Sequence, residues 1–177
     1  LKDNDSPYAV FTPFCKRWRA LGWDGPADEP GDDVRWIGVG TSADSPLLGE
    51  RPDPGFELGA IGEHAARERW LDFLPSKVDE YSDRRNIPAV HGTSRLSPAL
   101  KWGTTHPRSL LVDLDASGAG SKGHQVFSSE LAWREFYADV LFHQPRTAWE
   151  NLNPKMNAMA VDTDAAARQR FQQWTAG

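Results

Sequence analysis

The chain has 177 residues, 39% hydrophobic and 25% charged, with a formal net charge of −5. That length and balance allow one soluble globular domain with its own core. They exclude a disordered chain, no apolar run approaches the length that spans a bilayer, and the net charge argues against a histone-like, charge-driven nucleic-acid binder while a local basic groove stays open. The single cysteine, Cys15, rules out an internal disulfide framework and fits a reducing compartment, with the bacterial cytosol as the expected location. The opening LKDNDSPYAV is not a signal peptide, because no apolar stretch follows its charges.

Residues 1–57 read as an irregular linker. Pro26, Pro30, Pro46, Pro52 and Pro54 forbid a long helix, and Tyr8–Phe11 reads as a short extended segment. Gly38-Val-Gly40-Thr-Ser-Ala43 fits a loose dinucleotide fingerprint, but Asp44-Ser-Pro46 follows where that fingerprint needs a helix, so it is rejected. Residues 58–84 read as a helix with apolar positions at Leu58, Ile61, Ala65, Leu71, Leu74, Val78 and Tyr81, kinked or split at Pro75. Ser97-Pro98 reads as an N-cap and first helical residue. A helix is predicted from Pro107 through Leu114. Gly118–Gly123 reads as a flexible loop and not a Walker loop, since Gly rather than Ser or Thr follows Lys122. Residues 127–143 read as the most distinctive helix, stopped by Pro145, and a last helix runs from a Thr163 cap to Trp174. No convincing strand alternation follows residue 40. The predicted class is mainly α.

Two segments carry chemistry. Glu130, Trp133, Arg134 and Tyr137 stand at i, i+3, i+4 and i+7 and share one helix face, flanked by Leu131, Phe136, Val140, Leu141 and Phe142. Charges in so apolar a helix are either a structural Glu–Arg pair or the wall of a pocket for a flat heteroaromatic ligand or an extruded base. Gly92-Thr-Ser-Arg-Leu-Ser-Pro98 places three hydroxyls and a cation before a helix. It is either an ordinary capped turn or a phosphate loop. His64, His91, His106, His124 and His143 lack metal-site spacing, and there is no nucleophile elbow. Eight tryptophans are a high count, which a Trp-rich core accounts for.

Three strings extend this reading. Arg85-Asn-Ile-Pro-Ala-Val-His-Gly-Thr-Ser-Arg-Leu-Ser-Pro98 and Ser128-Ser-Glu-Leu-Ala-Trp-Arg-Glu-Phe-Tyr137 resemble the pre-flavin and Glu-Leu-x-Trp-Arg-Glu-Phe-Tyr motifs of the DNA photolyase and cryptochrome family. Tyr8-Ala-Val-Phe-Thr-Pro-Phe14 with Arg17-Trp18 resembles its inter-domain linker entry. Within that family the class I cyclobutane pyrimidine dimer photolyases are most similar. The resemblance implies a linker over 1–57 with the tail of an antenna domain, and the N-terminal part of a helical FAD-binding domain over 58–177.

The resemblance also implies FAD as cofactor, with Tyr81, Thr93, Ser94, Arg95, Leu96, Ser97, Phe127 and Arg134 around it. It implies DNA containing pyrimidine dimers as partner, contacted by Arg85, Glu130, Trp133, Arg134 and Tyr137. Glu130 and Trp133 receive the flipped dimer, the first as acceptor and the second as stacking surface. The implied reaction is light-driven electron transfer from reduced FAD that splits the dimer. The intact enzyme is expected to be a monomer with no membrane partner. A second, antenna chromophore of folate or deazaflavin type is expected in a preceding domain. The alternatives are a cryptochrome, which Trp133 disfavours, and a non-catalytic fragment. Trp174-Thr-Ala-Gly177 stops where the family's Gly-x-Thr-Gly-Tyr-Pro motif is expected, and 161–171 lacks the outer tryptophan of the usual electron relay. Weak FAD binding, little repair and exposure of Phe136, Val140 and Phe142 are expected of the chain alone.

Overall fold

Proline marks where the helical elements begin. It lies in the first turn of α1 (Phe11–Leu21), α4 (Ser97–Trp102) and α5 (Pro107–Ala116), and opens 3-10 turns at Pro145–Ala148 and Pro154–Ala158. First-turn N–H groups have no intrahelical partner, so a residue without one is tolerated there. α2 (Glu63–Lys77), α3 (Tyr81–Arg84), α6 (Lys122–His143) and α7 (Ala165–Ala176) complete the set. The computed structural model describes residues 2, 6–28, 31, 33–35, 55, 59–118 and 120–177, and no strand occurs among them. The rejected fingerprint at 38–43, together with Pro30, Pro46, Pro52, Pro54 and Leu58, lies outside the described residues.

Contacts divide the chain into two units, residues 15–133 and residues 1–14 with 134–177. The first has a continuous core. α2 contributes Ala66, Trp70 and Phe73, α3 Tyr81, α4 Ala99, α5 Leu110, Leu111 and Leu114, and α6 Phe127 and Leu131. Trp70, 0% exposed, stacks on Phe127 at 5.2 Å and donates its indole N–H to Asp113 at 2.8 Å. Arg67 pairs with the same carboxylate. Trp18 and Trp23 stack at 4.8 Å and pack against this core, while Arg19 donates to the Ser129 hydroxyl at 2.7 Å.

Two glycines permit close backbone approaches in this unit. A Cβ at Gly123 would collide with the Val78 carbonyl, so the first turn of α6 lies directly on the α2–α3 junction. A Cβ at Gly92 would sit 2.6 Å from the Arg84 Cβ, which presses the following loop against the end of α3.

The second unit is sparser. Phe136 packs edge-on to Phe11 at 5.9 Å and against Phe14 at 5.3 Å, and Tyr8 meets Phe14 at 5.9 Å. Arg146 donates to the carbonyls of Asn151 and Leu152, both at 3.1 Å, and so orders the loop after α6. No side chain of α7 is buried.

Several boundaries differ from the sequence reading. Tyr8–Phe11 leads into helix α1 instead of an extended segment, because Pro13 falls in a first turn. The 58–84 helix is two helices, and the break lies at 78–80 while α2 continues through Pro75. The buried face of α2 is Ala66, Trp70 and Phe73; Ile61 and Leu71 are exposed. Ser97 is the first residue of α4 and no side chain caps it. α5 continues to Ala116, and α6 starts at Lys122, inside the stretch read as a loop. Asp164 rather than Thr163 caps α7, accepting from the Ala167 N–H at 2.7 Å. Phe136 and Val140 are buried, Phe136 against the α1 aromatics, while Phe142 is 82% exposed as expected.

Candidate functional site

Tyr81 opens α3, and its ring stands edge-on to Phe73 at 5.9 Å and Phe127 at 5.3 Å. Burial pushes its phenol pKa up; the Glu130 carboxylate adds to that, and the Arg85 guanidinium opposes both. Arg85 caps the C-terminal end of α3, places its guanidinium 5.6 Å from the centre of the Tyr81 ring, and donates to Glu130 Oε1 on α6. That hydrogen bond holds the guanidinium above its ordinary range, so it is a fixed cation. Both side chains of the pair are partly exposed, which leaves the Glu130 carboxylate open to a further donor. The charge pair joins α3 to α6, and Arg134 pairs with its neighbour Glu135 at 2.9 Å.

The loop before α4 forms a second group. Thr93 and Ser94 expose hydroxyls, and Arg95 adopts φ 52°, a left-handed conformation that disfavours a side chain by about 1–2 kcal/mol. Such strain persists where the surroundings fix it, and is concentrated at ligand-holding loops. Arg95 is tethered to His91 Nδ1 at 2.6 Å. Leu96 turns its side chain into the core. Between this loop and α2 lies a cavity of about 180 Å³, with Arg69, Asp72, Phe73 and Lys77 on the helix side and His91, Thr93, Ser94 and Arg95 on the other. Pockets that enclose whole small molecules run to about 300–1,000 Å³, so this one has room for a small anion and does not by itself enclose a dinucleotide. Hydroxyls and an excess of cations are the donor set such an anion needs.

The structure therefore brings the sequence-predicted residues together in two groups: Tyr81, Arg85, Phe127 and Glu130 in one, and Thr93, Ser94 and Arg95 in the other. Phe127 lies in the core between Trp70 and Tyr81, which makes it a support for the Tyr81 ring. Ser97 is exposed at the start of α4, and Trp133 is half-buried on α6, one turn after Glu130. Arg134 and Tyr137 begin the other unit; both are exposed, and α6 runs through them without a break. Arg69 and Lys77 enter the cavity lining from α2, where 69, 73 and 77 stand at i, i+4 and i+8 on one helix face.

Residues 127–177 match a family described as the FAD binding domain of DNA photolyase. Over 84% of its length the chain is 36% identical to a deoxyribodipyrimidine photo-lyase of Synechococcus, of which it covers 34%. It is 33% identical over 96% of its length to a protein of the same name from Thermus thermophilus, of which it covers 37%. The crystal structure of a bacterial class III photolyase from Agrobacterium tumefaciens superposes on 99% of the chain with a TM-score of 0.77 at 29% identity, and 38% of that protein is covered. The chain thus spans about a third of the length of the relatives it matches.

Proposed function

This chain belongs to the DNA photolyase family, and from that premise we propose that it supplies the FAD diphosphate loop and the lesion-recognition helix of an enzyme that splits cyclobutane pyrimidine dimers in DNA. The observation that carries the reading is the Arg85–Glu130 pair over Tyr81, which unites residues from two separate motifs at one place.

Thr93, Ser94, Ser97 and Arg95 hold the diphosphate with hydroxyls and a guanidinium, the Leu96 backbone adds to them, and Tyr81 stands beside the cofactor. When bound, reduced FAD would supply on excitation the electron that opens the cyclobutane ring and would take it back once the two pyrimidines have separated. Arg85 orients the Glu130 carboxylate, which accepts from the N–H edge of an extruded pyrimidine. Trp133 gives that base a stacking face. Arg85, Arg134 and Tyr137 contribute charge and hydrogen bonds toward the DNA.

Fluorescence anisotropy with a labelled oligonucleotide tests this. The chain binds a strand carrying one thymine dimer more tightly than the undamaged strand. Trp133→Ala removes most of that preference, since stacking on an aromatic side chain is worth about 1–3 kcal/mol per base. Lys101→Gln, on an exposed face of α4, leaves it intact. Equal affinity of the unmodified chain for both strands, or full preference in Trp133→Ala, would contradict the reading.

A further inference from the structure

We propose that the diphosphate site is two-sided, with Arg69 and Lys77 of α2 forming a cationic wall opposite the Thr93–Arg95 loop. The proposal rests on the FAD reading and adds to it two binding residues from a different helix. The cavity supports it on three counts. Its volume, about 180 Å³, has room for a diphosphate. Its charge is unbalanced, because three cations, Arg69, Lys77 and Arg95, face the single carboxylate of Asp72. Its cations are also placed to respond to an anion. Lys77 is paired to Asp72, which is largely exposed, and Arg69 donates to the Ala60 carbonyl at 3.1 Å.

A lysine paired to an exposed aspartate loses little on changing partner, since such pairs are worth about 0–1 kcal/mol. A phosphate oxygen inside a cavity is the stronger acceptor for an ammonium. In this arrangement the loop supplies hydroxyl donors and one guanidinium on one side of the anion. α2 supplies a guanidinium and an ammonium on the other, spaced two helical turns apart. Asp72 keeps the wall from being too basic when no anion is present, and it is the group from which Lys77 is released on binding.

Isothermal titration of the chain with inorganic pyrophosphate and, separately, with FAD decides the matter. Pyrophosphate is expected to bind, with affinity falling as salt rises. Lys77→Gln and Arg69→Gln are each expected to weaken it about tenfold, as for loss of a charged hydrogen bond. Lys77→Arg should retain binding, Lys101→Gln should leave it unchanged, and Asp72→Asn should tighten it by freeing Lys77. Circular dichroism of each variant verifies the fold. Pyrophosphate affinity that drops in Ser94→Ala but is unmoved in both α2 variants would overturn the two-sided site and leave the FAD reading standing. FAD binding without pyrophosphate binding would do the same. Failure of both ligands to bind would remove the FAD reading along with it.

Discussion

The two contact units differ in how they use the same kinds of residue. In 15–133 the large apolar side chains converge: Trp70, Phe73, Tyr81 and Phe127 pack in one cluster, and its polar atoms have partners, as with the Trp70 indole on Asp113. In 1–14 with 134–177, Phe136 and Val140 are covered, yet Phe142, Trp149, Phe171 and Trp174 are exposed and α7 buries nothing. Composition alone does not distinguish them. The first unit carries a continuous core with the Arg85–Glu130 pair on it, whereas several aromatics of the second lie exposed outside its small Tyr8–Phe14–Phe136 cluster.

The largest effect expected from this contrast is at Trp70. Trp70→Ala removes a fully buried indole and its hydrogen bond, and should cost about 3–5 kcal/mol in urea unfolding followed by circular dichroism. Trp174→Ala should stay within about 0.5 kcal/mol. Similar losses at the two sites would erase the distinction. Gly123→Ala should cost about 1–3 kcal/mol, because the carbonyls of Val78 and Asp79 cannot retreat without shifting the α2–α3 junction. Next comes the cap of α7: Asp164→Ala should lower helicity by about 1 kcal/mol of local stability, read as lost ellipticity without a change in the main unfolding transition.

The smallest effect is electrostatic and sharpens the comparison most. Tyr81 has a raised phenol pKa, from burial first and from the Glu130 carboxylate second. A proton held more tightly in the folded state stabilises it below the unfolded pKa, and that contribution disappears as pH rises through the folded value. Stability should therefore decline above about pH 10. In a spectrophotometric titration at the phenolate band, the signal that Tyr81→Phe removes should belong to a transition above that of a free phenol. Glu130→Gln should bring that transition down without returning it to the free-phenol position, since burial is the larger cause. A Tyr81 transition unchanged by Glu130→Gln would mean that the Arg85–Glu130 pair does not act on the ring.

The legibility of these features in the sequence followed the range of the interactions behind them. The α6 motif was readable because spacing along one helix fixes a shared face. α1 was not, because Pro13 reads as a breaker until its place in a first turn is known. The buried face of α2 was misread because Trp70 and Phe73 were passed over for Leu71 and Leu74; Leu71 proves exposed and Leu74 only partly buried. The Arg85–Glu130 pair spans 45 residues of sequence, and no local pattern announces such a contact. Both partners were identified, but not their pairing. The hydroxyls of 93–97 stand in one short string and are legible there, whereas the cavity they line with α2 joins two separate segments, which no local pattern announces.

The proposal that this chain carries a diphosphate-holding loop for FAD is tested most directly by flavin retention on gel filtration. The chain is incubated with excess FAD and separated, and absorbance of the protein peak is read at the flavin band. A cavity of about 180 Å³ predicts substoichiometric flavin that dissociates during the run. Titration of FAD fluorescence should still detect weak binding, lost in a Ser94→Ala, Arg95→Gln double variant. A stoichiometric yellow protein, or FAD binding that ignores both substitutions, would contradict the account.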